Sequence, residues 1–304
     1  MNLNNRIHLR NHKQTKLKNQ EFINRLIRNI ELNRPEEVSV GIVGSDARLE
    51  NRLISPIECV LIFEDLKNQE NIKISDEIKN AIHKRFDETT IQENPFYMNL
   101  SEDTELFSPA RLLDYTHIKG NPELYKKRLE LAKKILMTPE GKKILIRSKN
   151  MTRAHSKIME SGKQKYRGEL LNHYDLDQGL ATYDPQKNLW GVKQGPNRLI
   201  QFSITRDLLK LTRDNKICTQ SLINIPRNTV DKLDYMHQAK LLNLSDLERS
   251  DLANNYIHFT ELYHKSQEEH KKGNKIIVFD VKEMKERLKS IKRIYDQHSY
   301  FVKT

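Results

Sequence analysis

The sequence has few of the residues that interrupt regular structure or crosslink a chain. It contains 10 Gly and 9 Pro in 304 residues, too few for a turn-rich all-β protein. Its two cysteines cannot build a disulfide framework or a four-thiolate metal site. We therefore expect a largely helical protein in a reducing compartment.

Long apolar stretches are also missing. No run approaches the roughly 18–20 apolar residues of a membrane span, and residues 1–18 are polar and basic, unlike a secretory signal peptide. We expect a cytoplasmic protein without membrane association. Delivery into a host by a specialised secretion system is compatible with the same features.

Positive charge is abundant and concentrated in two segments. The net charge is +12, with eight Lys/Arg and two Glu in residues 1–35 and fourteen Lys/Arg and four Glu in residues 126–170. Such segments suit a polyanionic partner, namely a nucleic acid, a nucleotide or an acidic protein face. Ordinary solvated helix faces are the alternative, and charge alone does not decide between them.

Hydrophobic periodicity predicts strands in the first part of the chain. Residues 38–43 and 57–63 are strand-like, and the second run is apolar on both faces, which predicts a central strand. A short helix is expected over 46–53 and a polar helix over 75–86. Residues 91–100 form a further strand candidate, which Pro95 restricts to a sheet edge or a bend.

The remaining chain is predicted to be mainly helical. Residues 183–196 look like a loop, and residues 275–279 like a lone strand or a buried turn. The sequence Ser245-Asp246-Leu247-Glu248 is a capping box that opens a helix towards His264. Other helices are expected over 17–32, 124–136, 139–147, 152–171, 199–211, 229–242 and 281–294.

These signals predict an α+β fold in three parts. A basic N-terminal helix occupies residues 1–35, a small mixed-sheet domain residues 36–118, and a mainly helical domain residues 119–304. The boundary is placed where strand signals cease, near residues 114–121.

One turn carries the pattern of a phosphate site. Gly44 and Ser45 follow the first strand directly and precede a short helix. Glycine lets a backbone approach phosphates closely, and a serine hydroxyl and a helix N-terminus donate hydrogen bonds to them. An ordinary strand-to-helix turn is the alternative. Glu58 is harder to explain, because a carboxylate inside an apolar strand needs a metal, an arginine or solvent.

The segment that starts at Gly44, GSDARLENRLISPIECVLIF, resembles the polymerase-β-type nucleotidyltransferases. It is most similar to the branch that contains the uridylyltransferase of bacterial nitrogen sensing and the nucleotidyltransferases that accompany cyclic-nucleotide-binding and CBS domains. In that branch Gly-Ser-x-x-Arg-x-Glu precedes Ser/Thr-Asp-x-Asp. The matching positions here are Gly44, Ser45, Arg48, Glu50, Ser55 and Leu61.

Two later segments extend the resemblance. Leu113-Asp114 and Gly120–Leu124 match the branch's Asp-x-Arg-x-x-x-Gly-Asp-x-x-Leu element, and Trp190–Arg198 resembles its Leu-Lys-x-Gly-x-Leu-Arg element. The chain departs from the pattern at two positions. Pro56 stands where the first carboxylate of the metal-binding pair is expected, and Thr116 stands where an arginine is expected.

The resemblance implies a small nucleotidyltransferase-like domain and a set of site residues. A nucleoside triphosphate with Mg²⁺ or Mn²⁺ is the implied cofactor. Gly44, Ser45, Arg48, Lys193 and Arg198 are implied to contact it. Glu58 and Glu50 are the implied catalytic carboxylates. Glu58 is the implied metal ligand, with Asp46 or Glu50 as the second ligand, because Pro56 cannot bind a metal.

The expected function is transfer of a nucleoside monophosphate from the triphosphate to a protein or small-molecule acceptor. The first alternative is a catalytically degenerate relative that senses a nucleotide or binds a partner. The second is a basic protein that binds nucleic-acid phosphates without catalysing a reaction. An acidic protein is the other partner expected for the basic segments.

Overall fold

The structure is a computed structural model of the chain. It describes residues 13–21, 23–24, 32, 34–50, 59–63, 96–99, 113–161, 180–182, 189–191, 193–271, 276–278, 281–298 and 301. The predicted helix over 75–86 lies outside these residues, as do positions 51–58 and 162–171 of predicted elements.

The fold is mixed, α+β, and the described residues form two compact units. The first, called the sheet unit here, comprises Lys13–Lys142 and Thr212–Thr229. The second, called the helical unit, comprises Lys143–Leu211 and Val230–Thr304. This division differs from the expected boundary after residue 118, because the helix that follows that residue packs on the sheet. No helix of the described ranges is long and apolar enough to cross a membrane.

A four-stranded sheet forms the centre of the sheet unit. Its strands are β1 (Val38–Ile42), β2 (Cys59–Phe63), β3 (Phe96–Asn99) and β4 (Thr116–Gly120), in the order β3-β2-β1-β4. β1 is antiparallel to both β2 and β4, whereas β3 runs parallel to β2. The sheet unit also contains α1 (Gly44–Ala47), α2 (Pro122–Leu136) and α5 (Thr219–Asn224). Helix α2 packs against the sheet and against α5.

Burial explains the positions of the strands. Every residue of β1 is buried, as are the four residues of β2 from Val60 to Phe63. Strands that are apolar on both faces belong in the middle of a sheet, and the central position predicted for β2 is confirmed. The edge position predicted from Pro95 is confirmed for β3.

The strand signals of the first part of the chain were expected to cease near residues 114–121, but β4 lies within this segment. β4 pairs with β1 across a register shift between Val40 and Gly41. Its sequence, Thr-His-Ile-Lys-Gly, alternates poorly and buries only Ile118. An edge strand needs only one apolar face, so its own sequence gives a weak strand signal. The formation of β4 therefore depends on pairing with β1, which is distant in the sequence.

Tyr115 fixes the position of β4 on β1. Its ring lies over Gly41, where an added Cβ would come within 2.2 Å of the ring carbons. The Tyr115 hydroxyl is 2.8 Å from Ser39 Oγ, which is also 3.0 Å from His117 Nδ1. Burial lowers the pKa of His117, so its ring is neutral at pH 7. Glycine at position 41 therefore serves the packing of Tyr115.

The guanidinium of Arg227 joins three parts of the sheet unit. Its five N–H groups all donate, to the Tyr125 hydroxyl and to the carbonyls of Tyr115, Leu222, Ile223 and Ile225. The rings of Tyr115 and Tyr125 stack beside it with centroids 4.4 Å apart. Only arginine offers five donors in a fixed plane, so this contact depends on its shape as well as on its charge.

The helical unit is built on long helices. Its elements are most of α3 (Pro139–Ser161) and α4 (Arg198–Arg213), together with α6 (Thr229–Gln238), α7 (Asp246–Lys271) and α8 (Val281–Gln297). An irregular turn at Lys193–Asn197 precedes α4 and packs against α7, where Asn197 Nδ2 donates to Thr260 Oγ1. α7 also packs against α8.

A second sheet was missed in the sequence. β5 (Leu180–Thr182) pairs with β6 (Leu189–Gly191) and with β7 (Ile276–Val278), in the order β6-β5-β7. The loop expected over 183–196 thus contains a strand, and the strand expected to be lone is paired in parallel with β5. Three-residue strands that pair across almost a hundred positions leave little local signal. The two helices expected over 139–147 and 152–171 are one helix as far as Ser161.

The predicted capping box is confirmed at the start of α7. Ser245 N–H and Oγ–H donate to Glu248 Oε2 at 2.8 and 2.7 Å, and Glu248 N–H donates back to Ser245 Oγ. His298, which follows α8, lies with Nε2 3.0 Å from Glu248 Oε1. Burial raises the pKa of the Glu248 carboxyl, but the hydrogen bonds from His298 and Ser245 outweigh it and lower the pKa to about 2.

This carboxylate makes the stability of the protein sensitive to acid. Because the pKa of Glu248 is lower in the folded chain than its ordinary value of 4.5, the stability that it contributes is complete above pH 4.5 and disappears as the pH falls towards 2. Urea unfolding of wild type and Glu248→Gln should differ most near pH 5.5, and the difference should shrink towards pH 2.5. A difference that stays constant over this range would contradict the prediction.

Arg227→Lys should destabilise the protein by about 2–3 kcal/mol, since lysine keeps the charge but leaves several of the carbonyls without a donor. The measurement is the free energy of unfolding in urea. Arg34→Lys is the matched control, because the Arg34 side chain is 43% exposed and pairs with Glu37 on the surface. The control should change stability by less than about 0.5 kcal/mol. Equal effects of the two changes would argue against the five-donor contact.

Candidate functional site

The turn between β1 and α1 has the backbone that the sequence predicts. Gly44 has a φ of +72°, a conformation that costs other residues about 1–2 kcal/mol. The helix that follows is shorter than the predicted 46–53: it begins at Gly44 and ends at Ala47. Leu49, with a φ of +58°, redirects the chain directly afterwards. The backbone therefore turns sharply on both sides of α1.

A buried ion cluster lies at the end of this turn. Arg48 Nε donates to Glu50 Oε2 at 2.8 Å, and Arg48 Nη1 donates to Asp114 Oδ2 at 2.6 Å. The side chains of Arg48 and Glu50 are 8% and 3% exposed, and that of Asp114 is 15% exposed. Asp114 is 66 positions away in the sequence, directly before β4. The guanidinium thus ties the turn to the entrance of the edge strand.

Further hydrogen bonds attach the cluster to the start of α6. The second oxygen of Glu50, Oε1, accepts from the backbone N–H of Thr229 at 2.9 Å, and Asn228 Nδ2 donates to the Arg48 carbonyl. A carboxylate at the first N–H of a helix is stabilised by the helix dipole. The Thr116 hydroxyl donates to the carbonyl of Ala47, the last residue of α1. Hydrogen bonds with Asp114, with residues 228–229 and with Thr116 therefore hold the turn in place.

Arg48 and Glu50 have protein partners in the structure. Nε and Nη1 of Arg48 donate to carboxylates of the protein, and both oxygens of Glu50 accept hydrogen bonds from protein donors. The expected nucleotide contact of Arg48 and the expected catalytic role of Glu50 stay predictions. The described contacts make the two residues parts of a brace beneath the turn.

The other expected site residues are placed only in part. The backbone of Ser45 and Asp46 lies within α1 at the expected turn, and the structure does not describe their side chains. Ser55, Pro56 and Glu58 lie outside the described residues. In the helical unit, Lys193 lies in the irregular turn before α4. The guanidinium of Arg198 lies 5.6 Å from the centroid of the Phe202 ring. The expected phosphate contacts of Lys193 and Arg198 stay predictions.

The described side chains do not fit a metal site. Among them, no three His, Cys, Asp or Glu residues come together in a way that could hold a metal ion. Both oxygens of Glu50 accept hydrogen bonds from protein donors. The expected metal ligands Glu58, Asp46 and Glu50 stay predictions.

Sequence reasoning did not single out Asn228 and Thr229. The only local signal was the start of a helix at Thr229 after Pro226, which marks a helix N-terminus that favours an anion. The tertiary structure supplies this anion: it is the carboxylate of Glu50, 179 positions earlier in the sequence.

Comparison with known proteins adds no relative. No family model matches the chain, and no curated protein is similar to it.

Removing the charge of Glu50 tests the brace. Glu50→Gln should lower the free energy of unfolding by about 3 kcal/mol or more, because Arg48 then loses one of two buried partners. The measurement is urea unfolding at pH 7. Glu123→Gln is the control, since the Glu123 side chain is 63% exposed and pairs with Lys126 on the surface of α2; about 0.5 kcal/mol or less is expected there. A Glu50→Gln protein as stable as the control would contradict the brace.

Proposed function

We propose that the protein is a nucleotidyltransferase-like protein that binds a nucleoside triphosphate at the turn between β1 and α1. The backbone after Gly44 and the hydroxyl of Ser45 hold the phosphates, and the triphosphate brings a Mg²⁺ or Mn²⁺ ion with it. Arg48, Glu50 and Asp114 keep the turn in place beneath the nucleotide.

The observation that carries this proposal is the meeting of two separate motif segments. Arg48 and Glu50 belong to the Gly-Ser-x-x-Arg-x-Glu segment, and Asp114 belongs to the later segment that resembles the same enzymes. In the structure their side chains form one buried cluster. Two segments that matched these enzymes only by chance would not be expected to place their side chains in contact.

The structure of the turn is a second support. The positive φ of Gly44 opens α1, so the first N–H groups of the helix have no partner within it. The sheet around the turn is antiparallel between β1 and β2, which brings the C-terminal end of β1 beside the first residues of β2, since Ile42 pairs with Cys59. Glu58 directly precedes Cys59, so in sequence it lies one position from the partner of Ile42.

Transfer of a nucleoside monophosphate to a hydroxyl acceptor is the activity that the resemblance implies. In this chain it would depend on Glu58, with Asp46 or Glu50 as the second carboxylate. Binding without transfer is the second candidate, and the occupation of Glu50 by Arg48 and Thr229 favours it. The protein would then respond to a nucleotide as a sensor or as a module that binds a partner.

Calorimetric titration with ATP, GTP, CTP and UTP, each with Mg²⁺, tests the binding. At least one triphosphate should bind, and Ser45→Ala should weaken it about tenfold, the effect of losing one hydrogen bond to a charged phosphate. Ser250→Ala on α7 is the control, because the Ser250 hydroxyl lies within hydrogen-bond distance of Asn254 in the helical unit. A Ser45→Ala protein that binds as tightly as the control would contradict the phosphate role, and absence of binding by all four triphosphates would overturn the proposal.

A second variant in the same titration separates transfer from binding alone. Pro56→Asp restores the carboxylate two positions before Glu58, which is the spacing of the metal-binding pair in the enzymes that the segment resembles. The variant should bind the triphosphate with Mg²⁺ more tightly than wild type. Incorporation of labelled nucleotide by wild type would establish transfer; incorporation only by Pro56→Asp would establish that the native chain binds without transfer.

A further inference from the structure

Helix α3 presents a dense basic surface in the helical unit. Between Lys143 and Lys157 the helix contains no Asp or Glu. Its exposed cations are Lys143, Arg147, Lys149, Arg153 and Lys157. We call these five residues the α3 basic face.

Helical geometry gathers the five cations on one side. At 100° per residue they fall within an arc of about 160°, and at 1.5 Å per residue they extend over about 21 Å of the helix axis. The opposite side of α3 is buried and contains Ser148, Thr152 and Ser156. The helix is thus held by one face and offers the other to a partner.

We propose that the α3 basic face binds the phosphate backbone of double-stranded DNA without sequence specificity. An α-helix is about 10–12 Å wide with its side chains, which matches the roughly 12 Å width of the major groove of B-form DNA. Cations at both margins of the arc reach the phosphates of both strands that border the groove. A duplex carries one charge per about 1.7 Å of axis, so 21 Å of helix faces about twelve phosphates.

The apolar residues of α3 argue against a membrane as the partner. Ile146, which is 51% exposed, lies within the basic arc. A helix that lies in a membrane interface carries its apolar side chains on the face opposite its cations. In α3 that opposite face is packed inside the protein, and the other exposed large apolar residue, Met151, lies beside the basic arc and not opposite it.

The composition of the α3 basic face also favours a duplex over a single strand. Proteins that bind single strands stack bases on aromatic side chains, and no aromatic residue lies among the five cations. The one ring nearby in sequence, that of His155, stacks on Phe202 of α4 with centroids 5.1 Å apart. Contacts with phosphates alone are independent of sequence.

Fluorescence anisotropy with a labelled 20-base-pair DNA duplex tests the proposal. The variant Lys143→Gln/Arg147→Gln/Arg153→Gln should bind at least tenfold more weakly than wild type at 50 mM NaCl. The slope of log K against log [NaCl] should fall in magnitude by about 2–3, since each phosphate contact contributes about 0.9. The control variant Lys134→Gln/Lys265→Gln/Lys289→Gln removes the same charge from exposed positions of other helices and should weaken binding less than threefold. Equal losses in the two variants would overturn the proposal, because the attraction would then come from net charge alone.

Competition experiments separate the other polyanions. Unlabelled DNA should displace the probe at least tenfold more effectively, per charge, than polyglutamate, vesicles with anionic lipid or an RNA duplex, whose deep and narrow major groove does not admit a helix. Equal displacement by any of the three would contradict binding in the DNA groove. Circular dichroism melting should give the same Tm for both triple variants, and a lowered Tm only for the α3 variant would assign its residues a structural role instead.

Discussion

The buried guanidinium of Arg48 is the interaction on which the sheet unit depends. It lies between the carboxylates of Glu50 and Asp114, and Glu50 in turn binds the first N–H of α6. A charge taken out of water is stable only when its partners satisfy it, so these segments must meet for any of them to be buried. The turn after β1, the entrance of β4 and the start of α6 are therefore fixed relative to one another.

The brace gives the motif residues protein contacts that their sequence pattern did not predict. Arg48 and Glu50 have the residue types of a nucleotide site, yet the structure engages them with protein groups. A turn can present its backbone to a phosphate only if it keeps its shape, and two carboxylates and one guanidinium maintain that shape here. In the proposed site the contacts of Arg48, Glu50 and Asp114 hold the turn, and the turn presents its backbone to the phosphates.

The positive charge of the chain has two physically different uses. Arg48 and Arg227 are enclosed by acceptors within the sheet unit, and they contribute to its stability. The cations of α3 are exposed and close together, without a carboxylate among them. Net charge adds the two kinds together, although only the exposed kind can attract a polyanion from solution. The distinction rests on burial, which composition does not reveal.

The sequence by itself determined the elements that depend on neighbouring residues. The apolar runs of β1 and β2, the capping box at Ser245 and the glycine turn at Gly44 are local, because period, cap and backbone freedom act within a few positions. Tertiary structure alone decided the pairing of β4 with β1, the second sheet, and the partners of Arg48 and Glu50. Those contacts join positions up to 180 apart. A polar edge strand or a single carboxylate carries no local sign of the partner that a folded chain brings to it.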